Sequence, residues 1–338
     1  MFKKIFEFIK FTVVEEWKFI LLLILSYIIL TCPLNYYIII GGGISDIDSR
    51  IEVEDSYDSE GSFNISFVSE LPGTVASYLL SYVVPDWKRV DANNYKYDNK
   101  ESLEDIQFRS DLDLKVANST AIKWAYSLAN KEYKKVSSEI YVIASFEEYN
   151  SPLKVQDKLI SINNKSYDNI YDYKEYLQTL RGEDSVKVIV ERDNKEKELD
   201  AKLYEKDGSV ILGVGLQTLI SYDTDPDVEI NFKKSESGPS GGLITTLDIY
   251  DKLTEDDLTN SLKIAGTGTI SEDGSIGSIG EVKYKLLGAV SDDADIFLVP
   301  SGENYKTCVK VKKEKKLDIK IIEVKNIKDA VEKLENLK

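Results

Sequence analysis

The sequence predicts an α+β protein: an N-terminal transmembrane helix followed by two folded blocks of mixed helix and strand. Three patterns carry that reading. Residues Phe19 to Cys32 are apolar apart from Ser26 and Thr31. Residues 185–203 alternate apolar and polar side chains around an Asp193-Asn194 turn, as a half-buried hairpin does. Two strand–turn–helix patterns follow, one around Gly238–Gly242 and one ending in Gly277–Gly280.

The apolar run is the first element. Trp17 precedes it, and Tyr36 and Tyr37 follow it. Trp17 to Tyr37 is 21 residues, roughly 31 Å as a helix, which matches a bilayer core. The aromatic residues stand where an interfacial belt belongs, and Pro33 marks the outer end. Lys3, Lys4, Lys10 and Lys18 come before the run. Asp46, Asp48, Glu52, Glu54, Asp55 and Asp58 come after it, against Arg50 alone. The positive-inside rule then places the N-terminus in the cytoplasm and the bulk of the chain outside the cell membrane. A cleaved signal peptide would have a shorter basic region and an Ala-x-Ala site, which does not follow here. A buried soluble helix leaves the flanks unexplained. Residues 1–41 therefore read as a cytoplasmic tip and an uncleaved single-pass anchor, with 17–37 in the membrane.

Residues 42–138 read as an α+β connecting region. Tyr37–Ile40 is a strand ended by Gly41-Gly42-Gly43, and Phe63–Val68 alternates as a second strand. Thr74–Val84 is an apolar-faced helix closed by Pro85-Asp86-Trp87. Asp91–Asp113 is polar enough to read as loop with some helix. Ala117–Tyr133 places Ile122, Ala125, Tyr126 and Ala129 on one helical face. From Glu139 the pattern changes. Ile140–Ile143 is a strand, Pro152–Lys165 reads as turn, strand and turn, and Tyr171–Arg181 is a helix ahead of the hairpin.

Composition bounds the chemistry. The 338 residues include 43 Lys+Arg, 59 Asp+Glu and no histidine. No histidine triad, Cys-His dyad, histidine-bound zinc or imidazole shuttle is available within the chain. Any catalytic base must be Lys, Asp, Glu or Tyr, or come from a cofactor. Cys32 and Cys308 are too few for a four-cysteine metal site or a disulfide framework. The net charge of −16 argues against a nucleic-acid partner. No loop has calcium-site spacing, so neither a metal nor a cofactor is expected.

Gly238-Pro239-Ser240-Gly241-Gly242 follows a strand (Val228–Phe232) and precedes a helix bearing Leu243, Ile244, Leu247 and Leu253. A serine at such a turn meets small neighbours and the positive end of a helix, which can stabilise an oxyanion. Alone, the pentapeptide reads most simply as a turn. A second stretch, Ala265–Ala289, adds weight. It reads as strand, Asp-Gly turn, short strand, then a helix from about Glu281 that carries Lys285 among Val282, Leu286 and Ala289. Desolvation and the helix N-terminus both disfavour a charged amine there, and a lysine needs that lowered pKa to act as a base. The bland reading is a solvated surface lysine, which describes Lys283.

Residues 139–205, carried by SPLKVQDKLISINNKSYDNIYDYKEYL and VKVIVERDNKEKEL, resemble a bacterial PDZ domain. That resemblance implies that an extended peptide adds to a strand edge, here at Ile140, Tyr141, Val142 and Ile143. The plainer reading is a small α+β domain with an alternating hairpin. Residues 206–338 resemble the proteolytic domain of the Lon family. Gly238–Gly242 stands at the family's Gly-Pro-Ser-Ala-Gly motif, Thr267-Gly268 at its threonine–glycine pair, and Gly280–Ala289 at its lysine motif. The resemblance implies a serine endopeptidase with Ser240 as nucleophile and Lys285 as base. Gly238, Pro239 and Gly241 would shape the site. Thr267 either orients the lysine or closes a strand, two readings of equal weight. Glu281 stands where the family has glycine, and Gly241 where it has alanine.

The order of anchor, PDZ block and Lon-like block resembles the membrane-anchored PDZ-containing Lon-like proteases of Gram-positive bacteria. No Gly-x-x-x-x-Gly-Lys-Ser/Thr loop occurs, which implies ATP-independent cleavage of accessible or unfolded chains. Protein or peptide substrates are the expected partners, and a homo-oligomeric ring is left open. The alternative function is an inactive adaptor that binds envelope proteins.

Overall fold

The computed structural model describes residues 2–233 and 236–337. The chain opens with helix α1 (Phe2–Thr31) and strand β1 (Pro33–Asp46). Strands β2 (Ile51–Val53) and β3 (Ser62–Thr74), helix α2 (Val75–Leu80) and strand β4 (Lys88–Asp91) follow. Two compact units form. One takes the residues up to Gly41 together with Ser69–Tyr95, and the other takes Gly42–Val68 together with the residues from Lys96 on.

In the first unit, Pro33 stops α1 because it has no N–H to donate and forces its predecessor out of the helical region. The chain then runs on extended, and Tyr36–Ile39 pairs antiparallel with Lys88–Asp91. The single span expected from Trp17 to Tyr37 is therefore corrected: Tyr36 and Tyr37 belong to a strand. The apolar part of the helix, Phe19 to Thr31, measures roughly 20 Å at 1.5 Å per residue, against about 30 Å of hydrocarbon in a bilayer. Among the described residues no helix is long and apolar enough to cross a membrane. The side chains of Lys3, Lys4 and Lys10, part of the orientation argument, lie outside the described residues. Helix α2 is shorter than the predicted Thr74–Val84. A capping box between Thr74 and Ser77 starts it.

The second unit continues with α3 (Leu103–Leu128), β5 (Glu132–Ser145), β6 (Lys158–Ile162), α4 (Ile170–Gln178), β7 (Ser185–Arg192), β8 (Lys195–Lys202), β9 (Tyr204–Lys206), β10 (Ser209–Ile211) and β11 (Val214–Asp225). Helix α3 begins inside the segment expected to be mostly loop. Ser102 caps it by accepting from Asp105 N at 3.1 Å, and Asp105 accepts from Ser102 N at 3.0 Å. The polar sequence there is explained by Arg109, which is buried against Glu101 and stacks on Tyr97.

Strands β11, β5, β6, β7 and β8 form an antiparallel sheet in that order. Its apolar face (Ile140, Val142, Leu159, Val186, Val188, Val190) packs with Tyr173 and Leu177 of α4. Asp157 is buried and takes both ends of the Arg192 guanidinium at 2.6 Å, a bidentate pair that fixes the turn before β6.

The remaining elements are β12 (Val228–Ile230), α5 (Gly242–Leu253), β13 (Lys263–Gly266), β14 (Thr269–Ile270), β15 (Ile276–Gly277), α6 (Val282–Ser291), β16 (Ile296–Pro300), α7 (Glu303–Lys315), β17 (Lys320–Val324) and α8 (Ile327–Glu335). Strand β13 pairs in parallel with β3, Lys263 opposite Ser62 through Gly266 opposite Ile65. It also pairs in parallel with β16, which in turn pairs with β17. Strand alternation sorts the side chains. Ile264, Ile296 and Leu298 join one core with Ala121, Ala125, Leu243, Leu247 and Ala330. Ala265, Phe297 and Val299 join another with Val282, Leu286, Ala289 and Cys308. Helices thus cover both faces of a largely parallel sheet, and the unbroken apolar run Ile296–Val299 is what such a strand requires.

Phe63 of β3 is fully buried in the first of these cores. Phe63→Ala is expected to cost about 3–5 kcal/mol, read as a lowered urea midpoint of the full chain, although Phe63 lies far in sequence from the other strands of its core.

Candidate active site

The site is built where β13 ends. Strand pairing holds β13 rigid up to Gly266, and Thr267 N donates to Leu298 O of β16 at 3.1 Å. Earlier in the chain, a single-turn helix at Pro239–Gly241 runs directly into α5. Gly238, just before it, has φ +85°, a left-handed conformation that glycine adopts without a Cβ penalty. Three backbone contacts lock the turn. Gly238 N donates to Ser110 O of α3 at 3.0 Å, Gly268 N to Ser240 O at 2.8 Å, and Leu243 N to Gly268 O at 3.0 Å. Thr267 Oγ1 adds a fourth by donating to Ser240 O at 3.1 Å. Ser240 is thereby fixed in position relative to β13.

Helix α6 brings the lysine. Lys285 Nζ lies 2.9 Å from Ser240 Oγ and 3.0 Å from Thr267 Oγ1. Only 6 % of Lys285 is exposed, and Thr267 is fully buried. Burial strips water from the amine and pushes its pKa from 10.5 down to about 8. Glu281, where glycine was expected, caps the start of α6 at φ 57°, ψ 29°. It takes the left-handed geometry that glycine favours, at a cost of about 1–2 kcal/mol, and α6 still delivers Lys285.

Of the residues picked from sequence, Ser240, Lys285 and Thr267 converge, with Gly238, Pro239 and Gly241 forming the turn beneath them. Ile140, Tyr141, Val142 and Ile143 fare differently. Ile140 and Tyr141 pair with Thr218 and Gln217 of β11 on one side and with Leu159 and Lys158 of β6 on the other. Val142 also bonds Asp157 and Gln156. Ile140, Tyr141 and Val142 are thus engaged on both sides, so the expected peptide-binding edge on β5 is corrected at these residues, while Ile143 lies at the register shift. The terminal strand of that sheet on this side is β11. Gly238 N–H is likewise occupied, donating to the Ser110 carbonyl, and is not free for an oxyanion. Ser110 was missed because its carbonyl, not its side chain, makes the contact, and no residue-type pattern reports that.

Residues 231–336 match the Lon protease (S16) C-terminal proteolytic domain. That is a serine peptidase domain, and it contains Ser240, Thr267 and Lys285. Among solved structures, the chain is similar to the PDZ domain of the SdrC-like protein of Listeria monocytogenes, at 21 % identity over 25 % of this chain and 92 % of that one, with a TM-score of 0.23. It is also similar to the corresponding PDZ domain of Listeria innocua, at 24 % identity over 23 % and 92 % of the two chains, with a TM-score of 0.21. No curated protein matches the chain.

Helix α5, which starts at the serine turn, buries another titratable group. Asp248 is 5 % exposed, and its Oδ2 has no hydrogen-bond partner among the described residues. Burial pushes its pKa from 3.8 up to about 8, with Asp48, Asp251 and Asp46 adding to the rise and Lys252 opposing it. Between those two pKa values the folded chain holds a proton that the unfolded chain has lost, so stability falls as pH rises from about 4 to about 8. Asp248→Asn is expected to flatten that slope and to gain on the wild type as pH rises, by on the order of 1–3 kcal/mol, in urea melts taken across the range.

Proposed function

We propose that the chain is a membrane-associated serine endopeptidase working through a Ser240–Lys285 dyad. The observation that supports this most directly is the 2.9 Å contact between the desolvated Lys285 amine and Ser240 Oγ. Neutral Lys285 takes the hydroxyl proton as Ser240 Oγ attacks a peptide carbonyl. Thr267, accepting from the amine, keeps the Nζ lone pair directed at the serine. The oxyanion falls to the N–H of Ser240 itself, since Gly238 N–H is occupied and Pro239 has none. Lys285 then protonates the leaving amine. Water, deprotonated by the same amine, releases the acyl group. The absence of histidine is no obstacle to this chemistry.

The catalytic unit on this reading includes residues 42–68 as well as 226–338, because β3 lines β13. Cleavage needs no nucleotide in the proposal, so it acts on chains that are already accessible. The block at 139–205, extended through β11, is proposed as a PDZ-type peptide holder whose available edge is β11 rather than β5. Association with the cell membrane is proposed through α1, whose side chains from Phe19 to Leu30 are apolar apart from Ser26 and largely exposed.

The test is cleavage of an unfolded protein by the full chain. Ser240→Ala and Lys285→Met are each expected to lower kcat by about 10³-fold or more. Wild-type kcat/KM should rise with pH and level off above about 8, because only the deprotonated amine is a base. ATP and magnesium should leave the rate unchanged. Activity that survives both substitutions would overturn the dyad.

A further inference from the structure

In the first unit, helix α2 and the turn after it expose a cluster of large apolar side chains. Leu79 is 55 % exposed, Leu80 50 %, Tyr82 64 % and Val83 79 %. This cluster stands at the C-terminal end of α1: Val75 N donates to Cys32 O at 3.3 Å, and the Tyr36 ring lies 5.6 Å from that of Tyr78. It therefore lies on the segment that packs at the end of α1, whose side chains from Phe19 to Leu30 are largely exposed. The rim is of a kind that suits a lipid interface. The guanidinium of Arg89 lies over the rings of Tyr82 and Tyr78, at 3.8 and 5.1 Å, and tyrosines beside a cation favour the headgroup layer.

Charge separates this unit from the rest. Residues 1–41 and 69–95 hold six Lys or Arg and six Asp or Glu, so they are neutral in sum, and the whole net charge of −16 falls on the other unit. A neutral unit can approach an anionic bilayer that repels a strongly acidic one.

We propose that the α2 turn, through Leu79, Leu80, Tyr82 and Val83, is a second lipid-contact element that inserts into the membrane interface beside the end of α1. This rests on the membrane reading of α1 and extends it: the chain would be held at two points, which restricts its rotation and tilt, rather than tethered by one helix.

The test uses the full chain in vesicles of phosphatidylcholine and phosphatidylglycerol. A Cys32→Ser background leaves only buried Cys308, and an environment-sensitive fluorophore is attached through Val83→Cys or, separately, Ile24→Cys. The expected result is that doxyl-labelled lipid quenches both labels to a similar fraction. Quenching at position 24 but not at position 83 overturns this proposal while leaving the α1 reading intact. Quenching at neither position overturns both. A blue-shifted label at position 83 that doxyl lipid does not quench would mean that protein, such as a second copy of this chain, covers the turn, and this too overturns the proposal.

Discussion

A lysine amine buried between two hydroxyls is the contact on which the proposed chemistry of the second unit depends. Removing an amine from water is costly, and a folded chain lowers that cost by letting the group lose its proton. Lys285 gains two hydroxyl partners and no carboxylate is found among the causes of its pKa shift. A carboxylate in contact would have held the proton on the amine and removed its use as a base. The choice of threonine rather than aspartate at position 267 therefore has a direct chemical consequence. It satisfies the amine without charging it.

The three groups arrive on separate elements, and the sheet is what makes them meet. Thr267 follows β13, Ser240 precedes α5, and Lys285 lies near the start of α6. Helices α5 and α6 belong to the cores on opposite faces of that sheet. Only at the end of a parallel strand can side chains from both layers approach each other. Strand β13 itself depends on β3, nearly two hundred residues earlier, and on β16. The block at 139–205 is thus enclosed between two stretches that must find each other, which places long-range pairing at the centre of folding.

Local chemistry was legible in the sequence where spacing encodes it. Gly238–Gly242 and Gly280–Ala289 could be read as a serine turn and a lysine helix because both are short, and α5 and α6 begin within a residue or two of expectation. The hairpin of β7 and β8 was equally plain from its period of two. What failed was everything set by a partner distant in the chain. The first half of helix α3 was hidden for a nearer reason: Arg109 on it is buried against Glu101 and Tyr97 just upstream. The edges of β5 were unreadable because pairing with β11, over seventy residues away, leaves no trace in the Ile140–Ile143 pattern. The membrane segment misled for a different reason. Apolar composition continues through Pro33 to Ile40, but the backbone changes from helix to strand at the proline, and hydropathy cannot register that change.

Two buried titratable groups of the proposed catalytic unit, Lys285 and Asp248, pull stability in opposite directions with pH. Lys285 has a folded pKa below its unfolded one, so the unfolded chain holds the extra proton between about 8 and 10.5, and stability rises with pH there. Asp248 has a folded pKa above its unfolded one, and its contribution is lost as pH climbs to about 8. Near pH 8 the amine begins to be neutral while the carboxyl has not fully ionised. Below that, the base is protonated. Above it, a carboxylate is forced into the core beside Asp46, Asp48 and Asp251, with only Lys252 to oppose them. Asp248 lies in helix α5, which begins directly after the Ser240 turn. The two groups thus act on stability in opposite senses on either side of about pH 8, a lysine and an aspartate titrating where a histidine would do so a unit or more lower.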